Sequence, residues 1–269
     1  MSVANITDQI DYPESDGKPM GETDLHRDWM IRILEIFRYR YRGERVYTAS
    51  DLLLYYEEGQ PTKFVVPDNF VVLDCEPGRR RIFKTWNEGK VPDVIFEVTS
   101  RGTSSVDIID KPVLYERIGV KEYFLYDPSS SYLEPALQGF RLTNGVYFEI
   151  PKRNGLLTCQ TLGIDLRLQG DNLVMFDAAS GETLLPAAEA EALLKDRERR
   201  LKEEERSLKE QERSLKEQER RLRVEQQAMV EEERSAKERE YNLRLAVEAE
   251  NRRLMAEIER LKRGESSGS

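Results

Sequence analysis

Cysteine, histidine and long apolar runs are what this 269-residue chain has least of. Two cysteines, Cys75 and Cys159, are too few for a disulfide framework or a zinc ribbon. A single histidine, His26, excludes any site built on two imidazoles. No window approaches the ~18 apolar residues of a membrane span, and the polar start, MSVANITDQIDYPESDG, lacks a signal-peptide core. Positive charge is also short: 42 Lys and Arg stand against 51 Asp and Glu, a net −9. An isoelectric point near 5.1 does not suit a general coat for nucleic acid, whose phosphates select a positive surface. These absences predict a soluble, cytoplasmic protein with no membrane partner. Carboxylates are the chemistry it has in abundance.

The charge is unevenly spread. Residues 1–186 hold 21 Lys and Arg against 29 Asp and Glu, a net −8, whereas residues 187–269 hold 21 against 22, a net −1. The second stretch has no Pro or Gly from 187 to 263, which makes a long helix the expected structure. Within it ERSLKEQ at 205–211 repeats unchanged at 212–218, and leucines fall seven apart at Leu194, Leu201, Leu208, Leu215 and Leu222. The companion seam positions Glu198, Glu205, Glu212 and Glu219 are charged, so two readings stay open. One is a solvated helix held by Glu–Lys and Glu–Arg pairs; the other is a coiled coil making a homodimer or higher homo-oligomer through residues 187–263.

The first part reads as α/β, with a flexible arm over 1–20, a domain over 21–180 and a disordered tail at 264–269. Thr23 or Asp24 caps a helix whose stripe is Leu25, Trp29, Ile33, Ile36 and Phe37. Strand-like runs follow at Arg45–Ala49 continuing through Leu52–Tyr56, at Phe64–Asp74, at Pro92–Ser100 and at Glu122–Asp127. A helix is expected over Val106–Ile118, stopped by Gly119, and Asn144–Gly145 marks a two-residue hairpin turn. Strands flanking a helix predict a central mixed sheet covered by helices.

Strand alternation sets Asp93, Ile95, Glu97 and Thr99 on one face of their strand. Asp93 and Glu97 lie four residues apart, ~13 Å along a strand, too far to grip one ion. If Phe64–Asp74 and Pro92–Ser100 pair antiparallel, Asp68 lies near Glu97, and Asp93 near Asp74 at the other end. Two such acids can hold a hard divalent cation through oxygen. Lys111, on the following helix one turn from Asp107, can lean toward Glu97. Two acids, a metal and a lysine make a working set for phosphodiester hydrolysis. The bland alternative makes Asp107–Lys111 an ordinary helical pair, Asp93 a strand-start residue and Asp68 a turn former. Arg79, Arg80, Arg81 and Lys84 form the one dense basic stretch of the core, readable as a phosphate-tracking loop or as a solvated turn.

The run PDVIFEVTSRGTSSVDIIDKPVLYERIGVKEYFLYDP resembles the signature of the Uma-type restriction endonucleases, a bacterial family of the PD-(D/E)xK nuclease superfamily. GKPMGETDLHRDWM and DLLLYYEEGQPTKFVVPDNFVVLD fit it too, so the resemblance covers about residues 17–165. It implies a restriction-endonuclease-like α/β core, Mg²⁺ or Mn²⁺ as cofactor, and DNA as substrate, with the superfamily acids at Asp68 and Glu97. Many superfamily members carry Lys two residues after the Glu; Thr99 stands there, and the resemblance suggests Lys111 has taken that role. It also allows Glu22 as an extra ligand, while His26 reads as a structural hydrogen-bonding residue. Two functions result: a metal-dependent endonuclease, or a nuclease-fold scaffold without cleavage that works through its C-terminal helix. The same metal chemistry would serve RNA.

Overall fold

The structure is a computed structural model that describes residues 10–15, 23–100 and 109–265. It divides into two units, Met1–Leu194 and Lys195–Ser269. In chain order the elements are α1 (Asp24–Arg40), β1 (Val46–Ser50), β2 (Leu54–Tyr55), β3 (Phe64–Val65), β4 (Asn69–Leu73), β5 (Phe83–Lys84), α2 (Thr85–Glu88), β6 (Val94–Val98), α3 (Lys111–Ile118) and β7 (Glu122–Tyr126). There follow β8 (Leu137–Thr143), β9 (Val146–Glu149), β10 (Leu157–Cys159), β11 (Ile164–Gln169), β12 (Asn172–Asp177) and α4 (Ala187–Glu265).

A six-stranded sheet runs β1-β4-β6-β7-β8-β9. Its pairs are antiparallel except β6–β7, which are parallel because α3 carries the chain across between them. β6 and β7 are buried at every position, as strands covered on both faces must be. On one face Val94, Phe96 and Val98 pack with Ile33, Ile36 and Phe37 of α1 and with Leu157, Ile164 and Met175 of the three-stranded β10-β11-β12 sheet. On the other, Ile95 packs with Leu54, Phe83, Tyr115 and Tyr123, so α3 and a small β3-β2-β5 sheet cover it. Asn144 and Gly145 both have positive φ, 53° and 82°, the twist a two-residue hairpin turn between β8 and β9 requires.

Several expectations change. Leu52–Tyr56 does not extend β1: Asp51 takes a left-handed φ of 50° and turns the chain into a different sheet. Phe64–Asp74 is two strands, because the chain leaves the small sheet at Val65 and joins the large one only at Asn69, after Pro67. Thr23 is the cap of α1, its hydroxyl accepting from the His26 N–H at 3.2 Å. The buried stripe of α1 takes in His26 and Met30, while Leu25 is 46% exposed. Pro112 belongs to the first helical turn, where its missing N–H costs nothing, so α3 begins at Lys111. The earlier part of that expected helix, 106–108, lies outside the described residues.

Residues 10–15 of the expected arm lie on the core. Tyr12 packs edge-on against Tyr55 with ring centres 5.1 Å apart, and the Tyr55 hydroxyl donates to the Pro13 carbonyl at 2.6 Å. α4 opens beside α1 through a two-pronged ion pair of Arg32 with Glu189. Among the described residues no helix is long and apolar enough to cross a membrane.

Candidate active site

The last ladder pair between β4 and β6 is Asn69 with Phe96, so Asp68 and Glu97 face each other one step beyond it. There the backbone donors continue onto carboxylates instead of carbonyls. The Asp68 N–H donates to Glu97 Oε2 at 3.2 Å, and the Val98 N–H donates to Asp68 Oδ2 at 2.7 Å. This reciprocal clasp fixes both acids on the end of the sheet. Glu97 has no exposed surface, and the Asp68 side chain is 14% exposed.

α3 supplies two donors to the same carboxylate. Lys111 Nζ lies 2.8 Å from Glu97 Oε2, and the Tyr115 hydroxyl donates to Glu97 Oε1 at 2.6 Å. Four residues apart on one helix, the two side chains share a face. Tyr115 is fully buried, and burial, followed by the Glu97 carboxylate, pushes its phenol well above the usual range, so it serves as a donor. From α1, His26 Nε2 comes within 3.3 Å of Asp68 Oδ2. Burial alone would raise Asp68, but the His26 imidazole, the Lys111 ammonium and the Val98 N–H together hold its carboxyl below the usual range.

The structure therefore brings Asp68, Glu97 and Lys111 together. Thr99 lies two residues past Glu97 on the same face, with its hydroxyl buried and without a hydrogen-bond partner among the described residues. Asn69, beside Asp68, likewise has a buried amide with no such partner. Asp93 is at the other end of β6, where its carboxylate accepts from the Leu73 N–H at 2.7 Å and pairs with Lys121 at 2.6 Å. It thus faces Leu73, while Asp74 points to Lys90. Glu22 and Asp107 lie outside the described residues.

The basic stretch follows β4 at its Leu73 end, opposite Asp68. Arg80 grips Glu88 through Nε at 2.7 Å and Nη2 at 2.9 Å, and its guanidinium sits 3.9 Å from the centre of the Tyr47 ring. Arg81 pairs with Glu14, and Lys84 lies 4.0 Å over the Tyr12 ring. Arg79 is exposed and borders a cleft with Arg38 and Arg42. Three of the four cations are therefore engaged by the fold itself.

Sequence reasoning gave Tyr115 no part in the site. Its spacing from Lys111 was the available signal, since a residue four positions along lies on the same helix face. His26 showed no sequence signal for its contact with Asp68, which depends on how α1 lies across the sheet.

Among the described residues no three His, Cys, Asp or Glu side chains cluster as a metal set. Two neighbouring carboxylates still fit a hard cation such as Mg²⁺, which keeps several waters and takes one or two protein carboxylates together with substrate phosphate.

No curated protein matches the chain. A crystal structure of a "putative nuclease" from Anabaena variabilis is similar at 15% identity, with a TM-score of 0.40, over 55% of this chain and 80% of that one. The family model Uma2, described as "Putative restriction endonuclease", matches residues 9–169.

Proposed function

The chain belongs to the Uma2 family, and on that premise we propose that it is a divalent-metal-dependent endonuclease that hydrolyses phosphodiester bonds in DNA. The observation that carries this reading is the convergence of Asp68 just before β4, Glu97 of β6 and Lys111 of α3 onto one buried spot. A buried carboxylate is costly without a cation beside it, so an apolar sheet end has no structural need for this set.

Asp68 and Glu97 would hold Mg²⁺ or Mn²⁺, which when bound lowers the pKa of water and offsets phosphate charge. Asp68, kept ionised by its neighbours, is ready as an oxygen ligand at neutral pH. The reciprocal backbone clasp keeps both carboxylates in place without movement during the reaction. Lys111 now donates to Glu97; with a phosphate in the site, its ammonium is placed to stabilise the charge building on the phosphoryl oxygens. Tyr115 holds Glu97 Oε1 and so orients the opposite oxygen toward Lys111 and the site.

The test is incubation of the full chain with duplex DNA and with RNA of the same sequence, each with Mg²⁺, Mn²⁺ or EDTA. DNA cut only in the presence of metal supports the reading. RNA cut in preference to DNA overturns the substrate, and cleavage undiminished by EDTA overturns the metal.

A further inference from the structure

Between Ala187 and Lys262 the side chains of α4 are almost all exposed. Every seventh residue from Leu194 to Leu243 is Leu, except Met229 and Ala236. A step of four from Leu243 then leads to Val247, and the repeat resumes at Leu254 and Leu261. Three and four are the two spacings of a heptad seam, so the frame holds across the handover from one seam position to the other. The larger apolar members of this line are 48–70% exposed in the single chain.

A strict seven-residue repeat does not stay on one side of a straight helix. It drifts ~20° per heptad, so the seven heptads from Leu194 to Leu243 wind the stripe through ~140°. A solvated helix has no reason to preserve such a line, and no straight surface can follow it. It becomes one continuous face only when helices supercoil around one another at 3.5 residues per turn.

The charged half of the seam also fits. In a parallel pair Glu198 and Glu212 each meet their own copy, and each does so as half of an ion pair, with Lys202 at 2.6 Å and Lys216 at 2.5 Å. These lysines occupy the flanking position that faces its own copy in an antiparallel pair, which would set a row of cations against itself. In a parallel pair that position faces the opposite flank of the partner, where Glu204 meets Lys209 and Glu232 meets Lys237 while Arg197 meets Lys202 and Arg239 meets Arg244, so like charges meet at two steps instead of in a continuous row. The flanks balance in that pairing, and the occupant that an unbroken heptad line specifies is a second copy carrying the same line.

We propose that residues 194–261 form a parallel, in-register, two-stranded coiled coil between two copies of this chain. The pairing brings the two Leu194 ends of the coil together. It stands on the seam alone, independently of the nuclease reading.

The test uses the full chain: sedimentation equilibrium, with oxidative cross-linking of Leu208→Cys and Val247→Cys. Cys75 and Cys159 are buried, so wild type gives the uncross-linked baseline. Both substituted positions are exposed, so neither variant disturbs a core. The expected result is a dimer mass, with a disulfide-linked dimer from each variant alone. A monomer mass, or a dimer in which neither variant cross-links, overturns the proposal. When the two variants are mixed, a linked 208–247 heterodimer shows an antiparallel pair and overturns the orientation.

Discussion

Lys111 Nζ and Glu97 Oε2 lie 2.8 Å apart, and the carboxylate of that pair has no exposed surface while the lysine is 12% exposed. A buried ion pair of this kind contributes little net stability when whole but is costly to break from one side. Lys111→Met leaves the Glu97 carboxyl in the interior without its cation, and should lower the unfolding free energy by ~3–5 kcal/mol. Adding Glu97→Gln to it should recover most of that loss. Urea denaturation of the two variants checks this; equal stability for Lys111→Met and wild type would show that the pair is not formed.

Tyr115→Phe keeps the ring in the core and removes only the donor to Glu97 Oε1. A hydrogen bond to a charged acceptor contributes ~1.5–3 kcal/mol, so a loss of that size is expected. The nuclease reading adds that cleavage should fall, because Glu97 loses the group that orients it. Unfolding and cleavage measured on one preparation separate the two effects, and unchanged cleavage would confine Tyr115 to packing.

Acid should weaken the fold through two buried carboxylates, Glu122 at the start of β7 and Asp127 just past its end. Burial pushes Glu122 upward, but donation by the Cys159 thiol and the Thr161 N–H, with Arg141 beside them, holds it below its ordinary value of 4.5. Burial opposes Asp127 in the same way, and the N–H groups of Tyr132, Ser129 and Leu133 hold it below 3.8. A carboxylate depressed in the folded state gives its full stabilisation above its unfolded pKa and loses it as pH falls through the folded value. Stability should therefore be level above about pH 5 and decline below pH 4.5, with less decline in Glu122→Gln. Thermal melts from pH 7 to pH 3 test it, and an identical decline in the variant would remove Glu122 from the account.

The basic stretch should split by role. Arg80→Ala breaks the two-pronged contact with Glu88 and the stacking on Tyr47, so its effect should be on stability. Arg79 is exposed, so Arg79→Ala should leave the melt unchanged. If the loop tracks phosphate, Arg79→Ala should also lessen the salt dependence of DNA affinity, by a slope of about one for each phosphate left unneutralised. An unchanged slope would make the stretch a structural turn.

The acid pair was legible because strand periodicity leaves few choices. Period two fixed the face of Glu97, and an antiparallel register then set Asp68 against it rather than Asp93. Features that depend on distant partners carried no such constraint. Arg80 meets Glu88 and Tyr47 only because a turn folds back on β1, and a run of three arginines reads the same whether solvated or engaged. Residues 10–15 looked mobile by composition, yet Tyr12 finds the Tyr55 ring and Pro13 the Tyr55 hydroxyl across more than 40 residues. The break between β3 and β4 was hidden by a continuous apolar run, since Pro67 disfavours a strand without saying which sheet each half will join.

The central claim is that Asp68, Glu97 and Lys111 form one hydrolytic site. Its most direct test is the rate at which supercoiled plasmid is nicked in Mg²⁺ by wild type, Glu97→Gln and Lys111→Met, with a melting curve for each. The account predicts metal-dependent nicking by wild type and a loss of ~10²–10³-fold in both variants while they remain folded. Nicking by folded Glu97→Gln at the wild-type rate would contradict it.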